Sequence, residues 1–383
     1  MCGMKIYYVA NARMPTEKAH GIQIAKMCEA FVEEGIDLEL IVPNRKTAGK
    51  SIQDFYGLRV AIPIVKLPVP NWYGYGRIGF FISSCVFAAA YFFYLLKKRI
   101  KREKGIIYTI DIDQFSFFTV PFIGMPYVVE IHDAKPLTAS FRLLFRFACA
   151  IITINDLIRE KLIARFRIDP KKIIVLPNGV DLREYENVPS REEMRQSTGV
   201  SPGALVVLYV GKLYDWKGIN MLREVAECLH NPVYIYCLGG TREEFIRLAG
   251  GVSVPENLIF LGHCSHQYVP RFLALADVLL VLGTKANDYS YYHTSPMKLF
   301  EYMASCRPIL ASRTPANSAI VSEKEVFFYE PDNAKDCVKK IGEIMVQQEE
   351  AKKRAARAYL SVQKFSWERR VKETLSFIND RIK

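Results

Sequence analysis

The chain has 383 residues, which is longer than one typical domain and favours two. Half of the residues are hydrophobic and 24% are charged, so the composition is globular and excludes a largely disordered chain. Lysine and arginine outnumber aspartate and glutamate by 52 to 40, and the formal charge of +12 favours anionic partners such as phosphorylated substrates or acidic lipid surfaces.

Three further features bear on the cellular compartment and the partners of the protein. The sequence has no zinc-finger spacing and no ribonucleoprotein aromatic motif, so we expect no nucleic-acid partner. The nine cysteines are scattered without a CxxC pair, which is typical of reduced thiols in a cytoplasmic protein. The N-terminal stretch MCGMKIYYVANAR lacks the charged-then-apolar profile of a signal peptide, so a cytoplasmic location is expected.

Along the first half of the chain, short β-branched or aromatic runs alternate with helical stretches. This alternation predicts parallel βαβ units. The predicted helices include Ile22–Glu34 and Asp156–Phe166. The predicted strands are Lys5–Val9, Asp37–Val42, Ile106–Ile110, Tyr127–Ile131, Ala150–Ile154 and Ile173–Leu176.

One segment of the first half has the length of a membrane span. Ile78–Leu96 carries no charge, and a basic cluster from Lys97 to Lys104 follows it. Predicted strands of one sheet flank the segment, so we expect a buried or interfacial helix rather than a span. This helix and the basic-aromatic run Phe141–Phe147 could rest on anionic headgroups at the cytoplasmic membrane face. Two core helices with solvated basic ends are the alternative.

The second half repeats the alternating pattern. Its predicted strands are Ala204–Val210, Val233–Leu238, Leu258–Leu261, Val278–Val281, Pro308–Ala311 and Val326–Tyr329. The predicted organisation is a domain over residues 1–186, a polar linker over 187–203, a domain over 204–364 and a last helix over 365–383. The predicted fold class is therefore α/β, with two tandem Rossmann-like doubly wound domains and a cleft between them. Ligands of such sheets bind at the carboxyl ends of the strands.

The strongest local signal lies around residue 295. Ser295 is typical of a helix N-cap and Pro296 of a first helical position, so a helix should begin here with free amides and a positive dipole end. A diphosphate would fit that end. Glu301, near the middle of this helix, could accept both hydroxyls of a ribose. The alternative is a surface carboxylate paired with Lys298.

A glycine and two lysines follow the first strand of the second half. Gly211 lets backbone approach a ligand, and the cations of Lys212 and Lys217 can bracket a pyrophosphate. A Gly-rich turn containing Gly240 closes the next strand. Taken alone, each of these turns could equally be a solvated loop.

Candidate residues of the first half also follow strands. His132 lies between the carboxylates of Glu130 and Asp133, where it could donate to a sugar hydroxyl or shuttle a proton. A satisfied histidine at a strand end is the alternative. His20 and Gly21 lie in the first βα loop, where the glycine permits close ligand approach.

In their order and spacing, these stretches resemble the GT-B glycosyltransferases, specifically glycosyltransferase family 4. The matching stretches are KAHGIQIAKMCEAF, VEIHD, IITINDLIREKL, VLPNGVDLREY, VGKLYDWKG, SPMKLFEYMASCRPIL and FSWERR. The resemblance implies two Rossmann-like domains, with a nucleotide-sugar donor bound mainly by the second. It also implies a hexosyltransferase that retains the configuration of the sugar, needs no metal, and acts on a glycan or lipid-linked acceptor. The last helix would cross back to the first domain.

The resemblance also implies residue roles. Lys212 and Lys217 would contact the donor diphosphate, Glu301 the ribose and His132 the transferred sugar. Gly21 would face donor and acceptor. The remaining implied donor-binding residues are Gly211, Gly240, His293, Thr294, Ser295, Pro296, Met297 and Lys298, and the implied acceptor-side residues are His20 and Asp133.

Two departures from the family pattern bear on activity. His293 stands where the family often has a second glutamate, eight residues before Glu301, and the first loop has one glycine where many members have two. A non-catalytic nucleotide-sugar binder, or a membrane-docked protein of the same fold, is therefore the alternative function. A GT-B epimerase or phosphorylase is a third reading. Asp111 and Asp113 form the nearest approach to a metal motif, and a turn explains them adequately.

Overall fold

The computed structural model describes residues 5–47, 49, 51–111, 113 and 115–382. The chain divides into two compact units. The first comprises the described residues up to Pro177 together with those from Trp367 onward, and the second comprises Asn178–Ser366. Each unit contains one parallel sheet with helices between its strands, so the predicted α/β fold class with two Rossmann-like domains is confirmed.

The first unit is built on a seven-stranded parallel sheet in the order β3-β2-β1-β4-β5-β6-β7. Its strands are β1 Lys5–Val9, β2 Asp37–Pro43, β3 Ile64–Leu67, β4 Ile106–Ile110, β5 Tyr127–Ile131, β6 Ala150–Thr153 and β7 Ile173–Val175. Its helices up to Pro177 are α1 Ala19–Glu33, α2 Ile52–Tyr56, α3 Gly76–Ile100, α4 Val120–Ile123, α5 Ala139–Phe147 and α6 Asp156–Phe166. Every residue of β4, β5 and β6 is buried, as expected for strands covered by helices on both faces.

The second unit has a six-stranded parallel sheet in the order β10-β9-β8-β11-β12-β13. Its strands are β8 Leu205–Val210, β9 Val233–Leu238, β10 Leu258–Gly262, β11 Val278–Val281, β12 Ile309–Ser312 and β13 Phe327–Tyr329. Its helices are α7 Arg191–Thr198, α8 Asn220–Cys228, α9 Arg242–Leu248, α10 Val269–Leu273, α11 Met297–Ala304, α12 Pro315–Ser318, α13 Ala334–Val346 and α14 Gln348–Val362.

The boundary between the units lies earlier than the sequence pattern indicates. Residues 187–203, predicted as a linker, contain α7, which begins with a capping box on Ser190. Two arginines of this segment, Arg191 and Arg195, pair with Asp277 of the second unit. The polar composition that suggests a linker therefore belongs to a short helix attached by ion pairs.

The last helix, α15 Trp367–Ile382, begins directly after Ser366 and belongs to the first unit. Its Arg370 is buried and donates to the carbonyl oxygens of Leu176 and Pro177. The first unit is thus assembled from two distant stretches of the chain.

Helix α3 contains the apolar segment of the first unit. By length and composition it could cross a membrane, since its apolar window has a mean hydropathy of 1.9 and is 39% buried inside the protein. However, α3 connects β3 to β4, and both strands belong to the same parallel sheet. A span would place those strands on opposite sides of a bilayer, so the connectivity favours a helix packed on the sheet.

In each sheet the strand order reverses at one point, next to β1 and β4 in the first unit and next to β8 and β11 in the second. Doubly wound sheets bind ligands at this switch point, beyond the carboxyl ends of the strands. A ligand site is therefore expected in the loops that follow these four strands.

Candidate functional site

In the second unit, the loop after β8 packs tightly against its neighbours. The amide of Gly211 donates to the carbonyl of Leu238 at 2.7 Å, and its φ of +135° is one that side chains rarely allow. A β-carbon at Gly211 would lie 3.0 Å from the Nζ of Lys298. A side chain here would therefore intrude on a lysine of α11. At Gly240 a β-carbon would lie 2.4 Å from Leu213, so packing explains that glycine.

Lysine side chains gather beside this loop. Lys217 Nζ donates to the carbonyl of Lys212 at 3.2 Å, and Lys298 Nζ lies 3.9 Å from the ring centroid of Tyr209. Burial, with Lys212 nearby, lowers the pKa of Lys217 to about 8. Burial and Lys217 hold the pKa of Lys298 well below its usual range. Desolvated cations that repel one another favour an anionic ligand.

The start of α11 corrects one prediction. The helix begins at Met297 with Pro296 as its N-cap, so Ser295 does not cap it. Ser295 instead accepts hydrogen bonds from Asn178, through its Oγ at 3.1 Å and its carbonyl at 2.8 Å. The first amides of α11 nevertheless lie at the end of the helix that carries the positive dipole.

Glu301 is buried, so the surface alternative for this residue is wrong. Its side chain is 9% exposed, and its Oε1 lies 2.7 Å from the Nε2 of His266. The neighbouring Tyr302 hydroxyl accepts from the amide of Val210 at 2.8 Å. This bond joins α11 to the end of β8 and so fixes Glu301 relative to the lysine loop. The sequence reading missed His266, which lies 35 residues from Glu301 along the chain.

The segment before α11 contains His293 and Thr294. His293 is buried and ends a π-helical turn, Tyr289–His293, and Thr294 Oγ1 donates to the carbonyl of Ser290 at 3.3 Å. An imidazole therefore replaces the second glutamate of the family pattern in this tight turn. It lacks the negative charge that a carboxylate would carry at this position.

In the first unit, His132 follows the end of β5. Its Nε2 lies 2.7 Å from the Oε1 of Glu130, a residue with no exposed surface. The candidate residue is thus held by a carboxylate, and the carboxylate that holds it is Glu130 and not Asp133. Asp133 is half-exposed and contacts Lys135 instead.

His20 and Gly21, predicted in the first βα loop, lie instead in the first turn of α1, because this helix begins at Ala19. His20 lies in α1, and its burial is the main cause that lowers its pKa. Gly21 is buried in the same helix, and a β-carbon there would lie 2.4 Å from both Thr16 and the Tyr56 hydroxyl. Packing therefore requires this glycine, because protein atoms already fill the place of its side chain.

A polar cluster at the carboxyl edge of the first sheet was not predicted. Asn11, after β1, donates to Asp113, after β4, at 3.2 Å. Arg45, after β2, donates to Asn11 and lies with its guanidinium 3.3 Å from the ring centroid of Tyr73. Only the convergence of parallel strand ends brings these residues together, so a motif search along the sequence would not find them.

Asp111 and Asp113 both have other partners. The Oδ1 of Asp113 accepts from the amides of Phe115 and Ser116 at 2.8 Å each, which makes it a turn residue. Asp111 lies 3.7 Å from Lys135. Within the described ranges, no three His, Cys, Asp or Glu side chains form a group that could hold a metal ion.

Two protein families match this chain. Glycosyl transferases group 1 matches residues 190–361, and Glycosyltransferase Family 4 matches residues 21–184. Together the matches cover most of both units.

Curated relatives align with part of the chain. An uncharacterized glycosyltransferase of Methanocaldococcus jannaschii is 26% identical over 208 residues, which cover 49% of this chain and 52% of that protein. Spore coat protein SA of Bacillus subtilis is 23% identical over 247 residues, which cover 59% of this chain and 63% of that protein. The matches therefore span between about half and under two thirds of these relatives.

Solved structures align over nearly the whole chain. A glycosyltransferase from Rickettsia africae ESF-5 has a TM-score of 0.76 at 15% identity, covering 100% of both chains. Anabaena Alr3699/HepE in complex with UDP-glucose has a TM-score of 0.72 at 18% identity, covering 97% of this chain and 99% of that chain. At these identities the likeness shows the fold.

Proposed function

The chain belongs to the GT-B glycosyltransferases of family 4, and from that premise we propose that it transfers a sugar from a nucleotide-diphosphate sugar to a glycan or lipid-linked acceptor. The observation that carries the proposal is the cluster of desolvated lysines beside the start of α11, with the buried Glu301 on the same helix.

In the proposal, the candidate residues of the second unit bind the nucleotide part of the donor. Lys212 and Lys217 bind the diphosphate, together with Lys298 and the first amides of α11. When the bond to the sugar breaks, negative charge grows on the departing diphosphate, and prealigned cations stabilise that charge in a poorly solvated place. Glu301 accepts the ribose hydroxyls while His266 fixes its orientation. Transfer is of the retaining, metal-independent, hexosyl type.

The first unit provides His132 and the acceptor side. His132 hydrogen-bonds a hydroxyl of the transferred sugar. The polar cluster of Asn11, Arg45 and Tyr73 offers both donors and acceptors to a glycan or to a charged headgroup.

A nucleotide-sugar binder without turnover is the second candidate function, and His293 is the observation that favours it. A panel of nucleotide-sugars in a thermal-shift assay should first identify the donor, because a ligand that binds only the native state raises the melting temperature. Release of nucleotide that depends on an added acceptor then supports transfer. Binding without release for every acceptor tested would support the binder, and release without an acceptor would support an epimerase or phosphorylase.

Activity should survive an excess of EDTA, because the proposal assigns charge stabilisation to lysines and helix amides. The measurement is initial rate before and after chelation, with a Mg²⁺-dependent transferase as a positive control. A complete loss of activity that Mg²⁺ or Mn²⁺ reverses would contradict this mechanism. It would indicate metal binding at Asp111 and Asp113.

We also propose peripheral attachment to the cytoplasmic face of a membrane. On α3 the exposed face is itself apolar, with Ile78, Val86 and Phe93 at helical spacing, and Lys97 continues the same face. The run Phe141–Phe147 contributes less to membrane binding than its sequence suggests, because Phe141 and Phe145 are buried in the core. Insertion of apolar side chains and attraction of basic side chains to anionic lipid are each too weak to hold the protein on a membrane. Their binding free energies add together.

The chain should therefore float with vesicles that contain anionic lipid, and high salt should weaken the binding. The electrostatic share is about 1 kcal/mol per lysine or arginine near the surface. Replacing Ile78 and Phe93 with glutamine should abolish flotation. The same change at Val346 and Leu360, which are equally exposed in the second unit, should not. Absence of binding at any salt would contradict attachment, and resistance to carbonate extraction would indicate a span.

A further inference from the structure

A buried ion pair lies behind His132 in the first unit. Glu130 of β5 has no exposed surface, and Arg370 of α15 is 4% exposed. Their closest atoms, Glu130 Oε1 and Arg370 Nη2, are 2.8 Å apart. The two residues are 240 positions apart in the sequence. Burial alone would raise the pKa of Glu130, but Arg370 and His132 outweigh it and hold that pKa well below its usual range.

The carboxylate of Glu130 accepts hydrogen bonds from four side chains. The Oε1 atom accepts from Gln23 at 2.7 Å as well as from Arg370, and the Tyr108 hydroxyl donates to Oε2. His132 completes the set, with its Nε2 2.7 Å from the same Oε1. Glu130 and His132 are two residues apart, so their side chains leave the chain on the same face of the sheet.

The contact determines which nitrogen of His132 carries a proton. An ionised carboxylate can only accept, so the Nε2 at 2.7 Å must donate. Gln23 also approaches Nε2, but at 3.4 Å it is the weaker partner. In the neutral ring the proton is then on Nε2, and Nδ1 is a hydrogen-bond acceptor. His132 is partly exposed, so its ring can reach a ligand at the carboxyl end of β5.

We propose that Glu130, held by Arg370, is a positioning residue that orients the ring of His132 and keeps its Nδ1 as the acceptor for a hydroxyl of the transferred sugar. The proposal rests on the function proposed above only for the identity of the ligand. The orientation of the ring can be tested without any substrate.

The test uses a double variant, because Glu130→Gln alone leaves the buried guanidinium of Arg370 without its partner and can fail to fold. The double variant Glu130→Gln with Arg370→Met removes both charges and keeps similar volumes, a change that buried ion pairs often tolerate. Lys372→Ala, on the exposed side of the same helix, is the matched control. Folding is confirmed first by circular dichroism and melting temperature.

The first readout is nitrogen-15 NMR of the imidazoles, with His132 assigned by its loss in His132→Gln. The parent and the Lys372→Ala control should show His132 as the Nε2–H form, with a far-downfield, slowly exchanging proton. The double variant should lose that proton signal and average between tautomers. A parent ring protonated at Nδ1, or a double variant with an unchanged His132 signal, would overturn the proposal whether or not transfer is ever detected.

The second readout is steady-state kinetics with the donor identified by thermal shift. The kcat of the folded double variant should fall on the order of 10-fold, which corresponds to the loss of one hydrogen bond of about 1.4 kcal/mol to the transferred sugar. The KM for the donor should remain within about twofold, since the proposed donor contacts of the second unit are untouched. Parental kcat in the double variant would show that the pair serves only the fold.

Discussion

Replacing Lys217 with alanine should reduce turnover on the order of 10²–10³-fold, which corresponds to about 2.7–4 kcal/mol of barrier. The proposal places its ammonium where negative charge develops on the departing diphosphate. The matched control is Lys352→Ala, which removes an exposed lysine of the same unit. A Lys217→Ala enzyme with near-parental turnover would exclude this residue from the site.

The same variant should not lose stability. The folded-state pKa of Lys217 is lowered to about 8 by burial, so at neutral pH the folded state binds the lysine proton more weakly than the unfolded state does. The charged side chain therefore opposes folding, and its removal should leave the melting temperature unchanged or raise it. A gain in stability with a loss of activity is the combination expected of a residue kept for function.

Glu301→Gln should give a similar loss by a different route. Glutamine keeps the shape of the side chain, but it lacks the charge that strengthens hydrogen bonds to two ribose hydroxyls. We expect the affinity for the nucleotide alone to fall as well, and calorimetric titration with UDP, or with the nucleotide of whichever donor is identified, measures it. Unchanged nucleotide affinity would remove Glu301 from the ribose site.

Arg370→Ala should be the most destabilising of these changes, lowering the free energy of unfolding of the first unit by about 3–5 kcal/mol. It leaves the carboxylate of Glu130 buried without its main partner. Urea denaturation followed by a probe in the first unit measures the effect, and Lys372→Ala should leave the midpoint unchanged. An Arg370→Ala midpoint equal to that of the parent would contradict the assignment.

The pH dependence of the same measurement has a defined sign. Because the pKa of Glu130 is lowered in the folded state, its contribution is fully present above the pKa of an unfolded glutamate, about 4.3. That contribution is lost as the pH falls further. Parental stability should therefore decrease on acidification below this value.

The sequence predicts most of the fold because buried parallel strands are continuous apolar runs. Val278–Val281 and Ile106–Ile110 are predicted with the bounds that the structure has. The edge strand Ile64–Leu67 was missed because it is short, lies between prolines and contains an exposed lysine. Edge strands bury less apolar surface, and their pattern is correspondingly weak.

The candidate site was predicted only where its residues are close in sequence. The lysine loop and the start of α11 each form one short stretch. The partners that were not predicted are distant in the sequence: His266 contacts Glu301, and Arg370 pairs with the carboxylate of Glu130, which contacts His132. A single sequence does not show which distant polar residues meet, because burial and pairing are decided by the tertiary fold.

The discontinuous first unit has a consequence for biosynthesis. Glu130 leaves the ribosome long before Arg370 is translated, so for most of synthesis the emerging N-terminal sheet has no counter-charge for a carboxylate in its interior. The second unit is contiguous from Asn178 to Ser366 and can collapse as it emerges. A chain truncated after Ser366 should therefore carry a protease-resistant second unit and a protease-sensitive first unit, whereas the full chain should protect both units.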